Sequence, residues 1–143
     1  MKLLRDLVND QYLAVLATRN PDGLHGSLVA FAASPDLREL VFVTNRATRK
    51  YANLQEDCRV VLVMDNRHNE MRDFTEAAAV TVYGGAEEVT GPGREELERR
   101  FIAKHAHLNQ FATAPSCAVF RVRVQRYSLV RRFQEVTDVV IEP

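Results

Sequence analysis

Short apolar runs separated by turn residues make up most of the chain. Runs of strand length occupy 12–18, 24–33, 39–44, 59–65 and 77–89, and turn-forming residues stand between them. Asn20-Pro-Asp-Gly23, between the first two runs, predicts a β-hairpin. Apolar and polar positions alternate over 117–125, and residues 127–141 add one or two more strands. The pattern therefore predicts about seven strands.

Three other stretches have helical periodicity. Apolar positions three and four apart predict a short amphipathic helix over residues 1–10. A second short helix is predicted from Ala47 to Asp57, with Thr44 and Asn45 as the residues that leave the strand and cap it. An apolar stripe predicts one long helix from Arg94 to about Phe111.

The order of these elements indicates a fold class. Hairpins occur throughout, and no βαβ unit repeats, so antiparallel strands in a short chain must remove their edges by closing into a small barrel. Gly84-Gly85 predicts a bulge in the fifth run, and the polar segment Asn66–Glu76 predicts an excursion loop of functional or interfacial type. At 143 residues, the chain is expected to form a single domain over 1–143.

Composition narrows the function classes. Nineteen Lys plus Arg balance 19 Asp plus Glu, and this neutrality argues against a protein whose main task is to bind nucleic acid. Arg5 and Asp6 interrupt the region where a signal peptide would be apolar, and no apolar stretch is long enough to span a membrane. We therefore expect a cytoplasmic protein with no membrane partner. Cys58 and Cys117 lie beside strand-like runs and are expected to be buried free thiols.

The strongest candidate for chemistry is the segment Thr44–Lys50, which we call the basic turn. Arg46, Arg49 and Lys50 lie in or beside the first turn of the predicted helix, where the macrodipole opposes cations by about 0.3–1 kcal/mol each. An anion there would meet free backbone N–H groups, the hydroxyls of Thr44 and Thr48, and cationic side chains, a combination that favours phosphate. The alternative is a basic helix end solvated by water, and charge alone does not choose between them.

Histidines offer no metal site in the sequence. His105 and His107 are two residues apart on a predicted helix and point about 200° apart, so they cannot chelate one ion and are interpreted as surface or cap residues. His25 and His68 have no ligand spacing. No metal is expected, and no catalytic-triad or nucleotide-binding motif is present, so the catalytic residues remain unassigned.

Two further polar groups have competing interpretations. Asp65-Asn66-Arg67 closes the fourth run with groups that either reach a ligand or cap a turn. Five arginines lie between positions 121 and 132, and we interpret them as one solvated face of a sheet. They are Arg121, Arg123, Arg126, Arg131 and Arg132.

The run FVTNRATRKYANLQEDCRVVLV, with the hairpin before it and the strand AVTVYGGAEEV after it, resembles the pyridoxamine 5′-phosphate oxidase-like flavoproteins. Phe42-x-Thr44-Asn45-x-x-Thr48-Arg49-Lys50 is similar to that family's phosphate-binding signature, with Thr48 where serine is usual. The resemblance implies a mainly β fold, an antiparallel six- to seven-stranded split β-barrel of Greek-key type with one long and two short flanking helices. It also implies a homodimer with FMN at the subunit interface.

The resemblance assigns roles to residues as well. Arg49 and Lys50 would hold the FMN phosphate, Thr44 and Thr48 would hydrogen-bond the phosphate or ribityl chain, and 27–29 would lie along the isoalloxazine edge. The full set expected to bind the cofactor is Ser27, Leu28, Val29, Val43, Thr44, Asn45, Thr48, Arg49, Lys50, Asn66 and Arg67.

Departures from the family pattern bear on activity. Ser27 or a neighbour stands where the vitamin B6 oxidases carry an arginine, Ala79 stands where they carry a flavin-contacting glutamine, and their Arg-x-His motif is missing from 131–143. We therefore expect an FMN-dependent oxidoreductase that acts on a small molecule and is not a pyridoxamine-phosphate oxidase. The alternative is a non-catalytic module that binds haem, a deazaflavin or flavin at the same interface.

Overall fold

Seven strands run through the computed structural model, which describes all residues 1–143. The strands are β1 (Leu13–Asn20), β2 (Gly23–Ala33), β3 (Glu39–Asn45), β4 (Arg59–Asp65), β5 (Ala78–Glu88), β6 (Cys117–Arg131) and β7 (Glu135–Val140). The helices are α1 (Lys2–Asp10), α2 (Arg49–Glu56), α3 (Asp73–Glu76), α4 (Pro92–Lys104) and α5 (Asn109–Thr113), with a 3₁₀ turn at Ala106–Leu108.

The strands form a closed antiparallel barrel. Their order is β3-β2-β1-β4-β5-β6, and β3 pairs with β6 to close the ring of six. Strand β4 returns to lie beside β1, which is the Greek-key connection. Strand β7 adds to the C-terminal half of β6 and lies outside the ring. The predicted fold class, an antiparallel barrel of six to seven strands, is confirmed.

The predicted bulge in β5 is confirmed. The pairing of β5 with β6 shifts register between Tyr83 and Gly84. A Cβ atom at Gly84 would overlap the carbonyl oxygen of Arg123, so the close approach of the two strands requires glycine at this position.

Apolar residues divide into two cores. The larger fills the barrel, where Leu16, Phe42 and Phe120 are fully buried, and α1 packs against it through Leu4, Leu7 and Val8. The smaller lies on the outer face of β3 and β6, where Val41 and Val43 pack beneath α4 and α5. Because α4 and α5 cover that outer face, only part of the sheet is open to solvent.

The prediction of one long helix from Arg94 to Phe111 is wrong. Helix α4 ends at Lys104, and the 3₁₀ turn and α5 follow it. His105 leaves the helical conformation, with φ −127° and ψ 63°, and its Nε2 lies 2.7 Å from the carbonyl oxygen of Phe31. A tertiary contact therefore stops a helix that the apolar stripe alone would continue. His105 is a cap residue as expected, but it is buried.

Smaller corrections concern the loop and the cysteines. The segment 66–76 is a loop as predicted, except that its last four residues form the single turn α3. Both cysteines are free, and Cys117 is buried as expected. Cys58 is exposed, because it lies in the connection between α2 and β4 and not inside a strand. No helix is both long enough and apolar enough to cross a membrane.

Candidate functional site

The basic turn connects β3 to α2 and contains a short chain of hydroxyls. Thr44 is buried at the end of β3, and its Oγ1 lies 3.2 Å from Oγ1 of Thr48. Thr48 caps α2, because its Oγ1 accepts the N–H of Tyr51 at 3.2 Å and donates to the Asn45 carbonyl oxygen at 2.8 Å. The two threonines are thus brought together as predicted.

The predicted start of this helix, at Ala47, is wrong. Asn45 Oδ1 accepts the N–H of Ala47 at 2.8 Å, which forms a local turn before the helix begins. Helix α2 therefore starts at Arg49, and its cap is Thr48 and not Thr44 or Asn45.

Arg46 is already paired within the protein. Its guanidinium donates to Glu88 Oε2 at 2.8 Å and to the Pro115 carbonyl oxygen at 2.6 Å. The other Glu88 oxygen accepts the hydroxyl of Tyr51 at 2.7 Å. Burial opposes ionisation of Glu88, but these hydrogen bonds from Arg46 and Tyr51 outweigh it and hold the pKa of Glu88 below its ordinary value. The predicted group of three cations is therefore a pair.

That pair, Arg49 and Lys50, has no partner within the protein. Nearly all of the 19 Lys and Arg side chains make an ion pair, a hydrogen bond or a ring contact. Arg49, Lys50 and Arg99 make none. Arg49 and Lys50 also lie in the first turn of α2, where backbone N–H groups lack intrahelical acceptors. The two unpaired cations and the unpaired backbone N–H groups therefore lie at the same place, the N-terminus of α2.

A slit in the barrel opens beside the basic turn. Strand β2 pairs with β3 only over Phe31–Ala33, although β1 pairs with β2 from Gly23 to Ala30. The first eight residues of β2 thus have a free backbone edge facing the end of β3. Ser27 lies on this part of β2, and its buried Oγ has no hydrogen-bond partner. Such an unsatisfied hydroxyl costs about 1–3 kcal/mol, so a polar group that reached it would remove that cost.

Four of the remaining predicted site residues lie on β2 and β3. Leu28 is exposed and Val29 is buried, both on the free part of β2. Val43 turns its side chain into the core beneath α4, so only its backbone faces the turn, and Asn45 is occupied by its local hydrogen bonds.

Asn66 and Arg67 lie elsewhere in the chain. Asn66 exchanges hydrogen bonds with Ala78 at the start of β5, and Arg67 pairs with Asp65 at 3.3 Å. Glu88, beside the basic turn, is at the other end of the same strand. A single chain therefore does not bring Asn66 and Arg67 together with the turn.

The groups that support the basic turn have no local signal in the sequence. Glu88 is 42 residues from Arg46, and no local spacing connects them. Asn53, a buried polar residue of α2, donates to Thr18 Oγ1 and accepts from Asn20, which fixes the helix to β1. A polar residue on a short helix gives no sequence signal of burial, so only the packing shows this role.

A family model covers most of the chain. The family model for pyridoxamine 5′-phosphate oxidase matches residues 1–131, and the chain belongs to this family. The match includes the basic turn, the slit and the whole closed barrel. No curated protein matches the chain.

Solved structures share the fold at low sequence identity. A haem-binding protein from Mycobacterium smegmatis aligns over 95% of this chain with a TM-score of 0.84 and 20% identity, and this chain spans about half of it, 55%. A FAD-binding protein from Mesorhizobium loti aligns over 90% of both chains (TM-score 0.73, 16% identity). A Clostridium acetobutylicum protein of the pyridoxinephosphate oxidase family, related to general stress protein 26, aligns over 98% of this chain and 93% of its own (TM-score 0.75, 14% identity). At these identities the comparisons establish the fold alone.

Proposed function

We propose that this protein binds FMN, with the phosphate at the basic turn. The observation that carries the proposal is the position of Arg49 and Lys50, two unpaired cations at the N-terminus of α2. An unliganded helix start disfavours cations, whereas a bound phosphate dianion would be stabilised by both of them and by the free N–H groups. Family membership supports the same assignment.

The hydroxyls and the slit fit the rest of the cofactor. Thr44 and Thr48 lie next to the cations and offer hydroxyl oxygens to the phosphate or the ribityl chain. The free edge of β2 and the unpartnered Oγ of Ser27 offer polar groups to the isoalloxazine ring. When bound, FMN supplies hydride or electron transfer, and the protein supplies position and polarity. We therefore propose an oxidoreductase of small molecules that is not a pyridoxamine-phosphate oxidase.

We further propose that a second copy of the chain covers the open sheet face. Leu28, Val15 and Val63 are neighbours across β2, β1 and β4 and point away from the barrel core. Leu28 is 66% exposed and Val15 is 41% exposed, so this face carries an apolar patch without cover. A two-fold dimer through this patch would place FMN at the subunit interface, as the resemblance implies. We propose that Asn66 and Arg67, which a single chain does not bring to the basic turn, reach the cofactor across that interface.

The decisive experiment compares FMN with riboflavin, which has the same ring and ribityl chain but no phosphate. We expect FMN to bind with a stoichiometry near one per chain and at least a hundredfold more tightly than riboflavin, because two charge-assisted contacts contribute about 1.5–3 kcal/mol each. Isothermal titration of apo protein with both compounds measures this difference. Equal affinities would mean that the basic turn is not a phosphate site.

The dimer has its own test. Sizing chromatography at micromolar concentration should give twice the mass of the chain, and Leu28→Glu should give a monomer with weaker FMN binding. Phe111→Glu is the matched control, because Phe111 is 40% exposed on α5, away from the patch, and its replacement should leave the dimer intact. A wild-type monomer that binds FMN fully would contradict the proposed interface.

Haem binding is a second candidate. His25 lies on the free part of β2, two residues before Ser27 and on the same side of the strand, and is partly buried. Its imidazole is placed to ligate a metal centre held in the slit. If haem is the ligand, added haemin gives a Soret band that His25→Ala shifts or abolishes, while FMN does not bind.

The cytoplasmic location stays a prediction.

A further inference from the structure

A cavity lies between α1, the C-terminal end of β2 and α4. It has a volume of about 600 Å³, within the range of small-molecule sites. Small side chains line much of it, among them Ala32, Ala33 and Ala103, and the amine of Lys104 lies in its wall. No residue of the expected cofactor set lines this cavity, so it is separate from the basic turn and from the slit.

Lys104 is half-buried and has few partners. Its Nζ lies 4.0 Å from the centroid of the Phe31 ring and donates a hydrogen bond of 3.3 Å to the carbonyl oxygen of Val8. Val8 is in the last turn of α1, where carbonyl groups have no intrahelical donors. A protonated lysine has three N–H donors, and the protein supplies an acceptor for only one of them.

The other charged side chains of the cavity are already paired. Arg100 lies 3.3 Å from Glu39 and 3.9 Å from Glu96, whereas Lys104 makes no ion pair. Burial lowers the pKa of Lys104 to about 8, although the negative charge of Asp10 acts in the opposite direction. The amine is therefore neutral more often at pH 7 than an ordinary lysine, and the neutral amine is the nucleophile.

We propose that Lys104 forms a Schiff base with a small aldehyde that enters this cavity. The neutral Nζ adds to the carbonyl carbon, the hydroxyl group of the adduct leaves as water, and a C=N bond forms, so the step needs no oxidant or reductant. The protonated Schiff base keeps its positive charge at the Phe31 ring and has a single N–H, which suits the single acceptor at Val8. The proposal does not depend on FMN binding.

The three lysines of the chain provide an internal comparison. They are Lys2, Lys50 and Lys104. The side chain of Lys2 is 90% exposed, and its hydrogen bond to Asp6 raises its pKa. Exposure alone therefore predicts that Lys2 reacts faster with an aldehyde than Lys104 does, whereas the proposal predicts the reverse order.

The experiment treats wild-type protein with benzaldehyde and cyanoborohydride at pH 7, and tandem mass spectrometry locates the reduced adducts. We expect Lys104 to be modified at least tenfold faster than Lys2. The rate at Lys104 should also saturate as the benzaldehyde concentration rises, because the aldehyde occupies the cavity before it reacts. Rates that follow exposure, or a rate at Lys104 that rises linearly with concentration, would overturn the proposal.

Variants separate the cavity from the amine alone. Ala103→Leu places a larger side chain in the cavity and should slow the modification of Lys104 at least fivefold. Ala106→Leu is the matched control, because Ala106 is exposed on the 3₁₀ turn and does not line the cavity, so the rate should not change. Equal rates in the two variants would contradict a site in this cavity. Lys104→Arg keeps the positive charge and should melt like wild type, and an adduct that still forms as fast in this variant would assign the reaction to another amine.

Discussion

Two groups of cations in this protein have opposite environments. On β6 and the turn after it, Arg121 and Arg123 share Glu87, at 2.7 and 3.1 Å, and Arg126 lies over the ring of Tyr83. Arg131 and Arg132 both pair with Glu135. In the basic turn, by contrast, Arg49 and Lys50 have no partner.

The contrast distinguishes cations that support the fold from cations available to a ligand. The sequence predicts that the five arginines of this group lie on a solvated sheet face, and the structure adds that each of them has an anionic or aromatic partner. Antiparallel pairing creates these partners, because β5 places Glu87 directly opposite Arg121. Nothing lies opposite the start of α2. The absence of a partner, and not the number of charges, makes the basic turn the better candidate for a ligand site.

The largest expected effect comes from removing the unpaired cations. Arg49→Ala with Lys50→Ala should lower FMN affinity at least a hundredfold, because two contacts of about 1.5–3 kcal/mol each are lost. The apo variant should be as stable as wild type or slightly more stable, since the helix dipole no longer opposes two cations. Isothermal titration and thermal melts measure both quantities.

Arg99→Ala is the matched control for that variant. Arg99 is also exposed and unpaired, but it lies in the middle of α4, away from the turn. Its removal should change neither FMN affinity nor melting temperature. A loss of affinity equal to that of the double variant would point to general electrostatic attraction and not to a site.

Glu88→Gln should give the next largest effect. Its pKa is held below the ordinary 4.5 by Arg46 and Tyr51 in spite of burial, so the carboxylate contributes stability above pH 4.5 that is lost as the pH falls through the folded-state pKa. We expect a loss of about 1–2 kcal/mol at pH 7 that shrinks towards pH 3. Urea unfolding of wild type and variant across this range checks it. If the difference in unfolding free energy between wild type and variant does not change with pH, the charge of Glu88 does not stabilise the turn.

Thr48→Ala should cost about 1 kcal/mol of stability, because α2 loses its cap. Thr48→Ser keeps the hydroxyl and should retain both stability and FMN affinity. Chemical denaturation of the two variants compares them, and equal losses in both would assign the effect to the methyl group and not to the cap.

Arg123→Ala should have the smallest effect. Its guanidinium is largely exposed and shares Glu87 with Arg121, and surface ion pairs contribute about 0–1 kcal/mol. We expect a stability change within about 0.5 kcal/mol and unchanged FMN binding. A marked loss of FMN affinity would remove the distinction between the paired and unpaired cations.

Elements with local signals could be predicted from the amino-acid sequence. Alternation and turn residues placed the strands, Gly84-Gly85 located the bulge, and the bounds of β4 were predicted to the residue. The basic turn was also visible, because its hydroxyls, cations and helix start lie within seven consecutive residues. Local patterns of this kind depend on backbone conformation and on neighbours a few positions away.

Features that depend on distant partners arise only from tertiary contacts. Whether Arg46 or Arg49 is free depends on Glu88, and the end of α4 depends on a hydrogen bond from His105 to Phe31. The slit exists because β2 and β3 part after three pairs, and the rings of Phe74 and Phe133 meet because the β6–β7 turn lies against the 66–77 loop. These contacts join residues tens of positions apart, so the closure of the barrel selects them, and no local spacing encodes them.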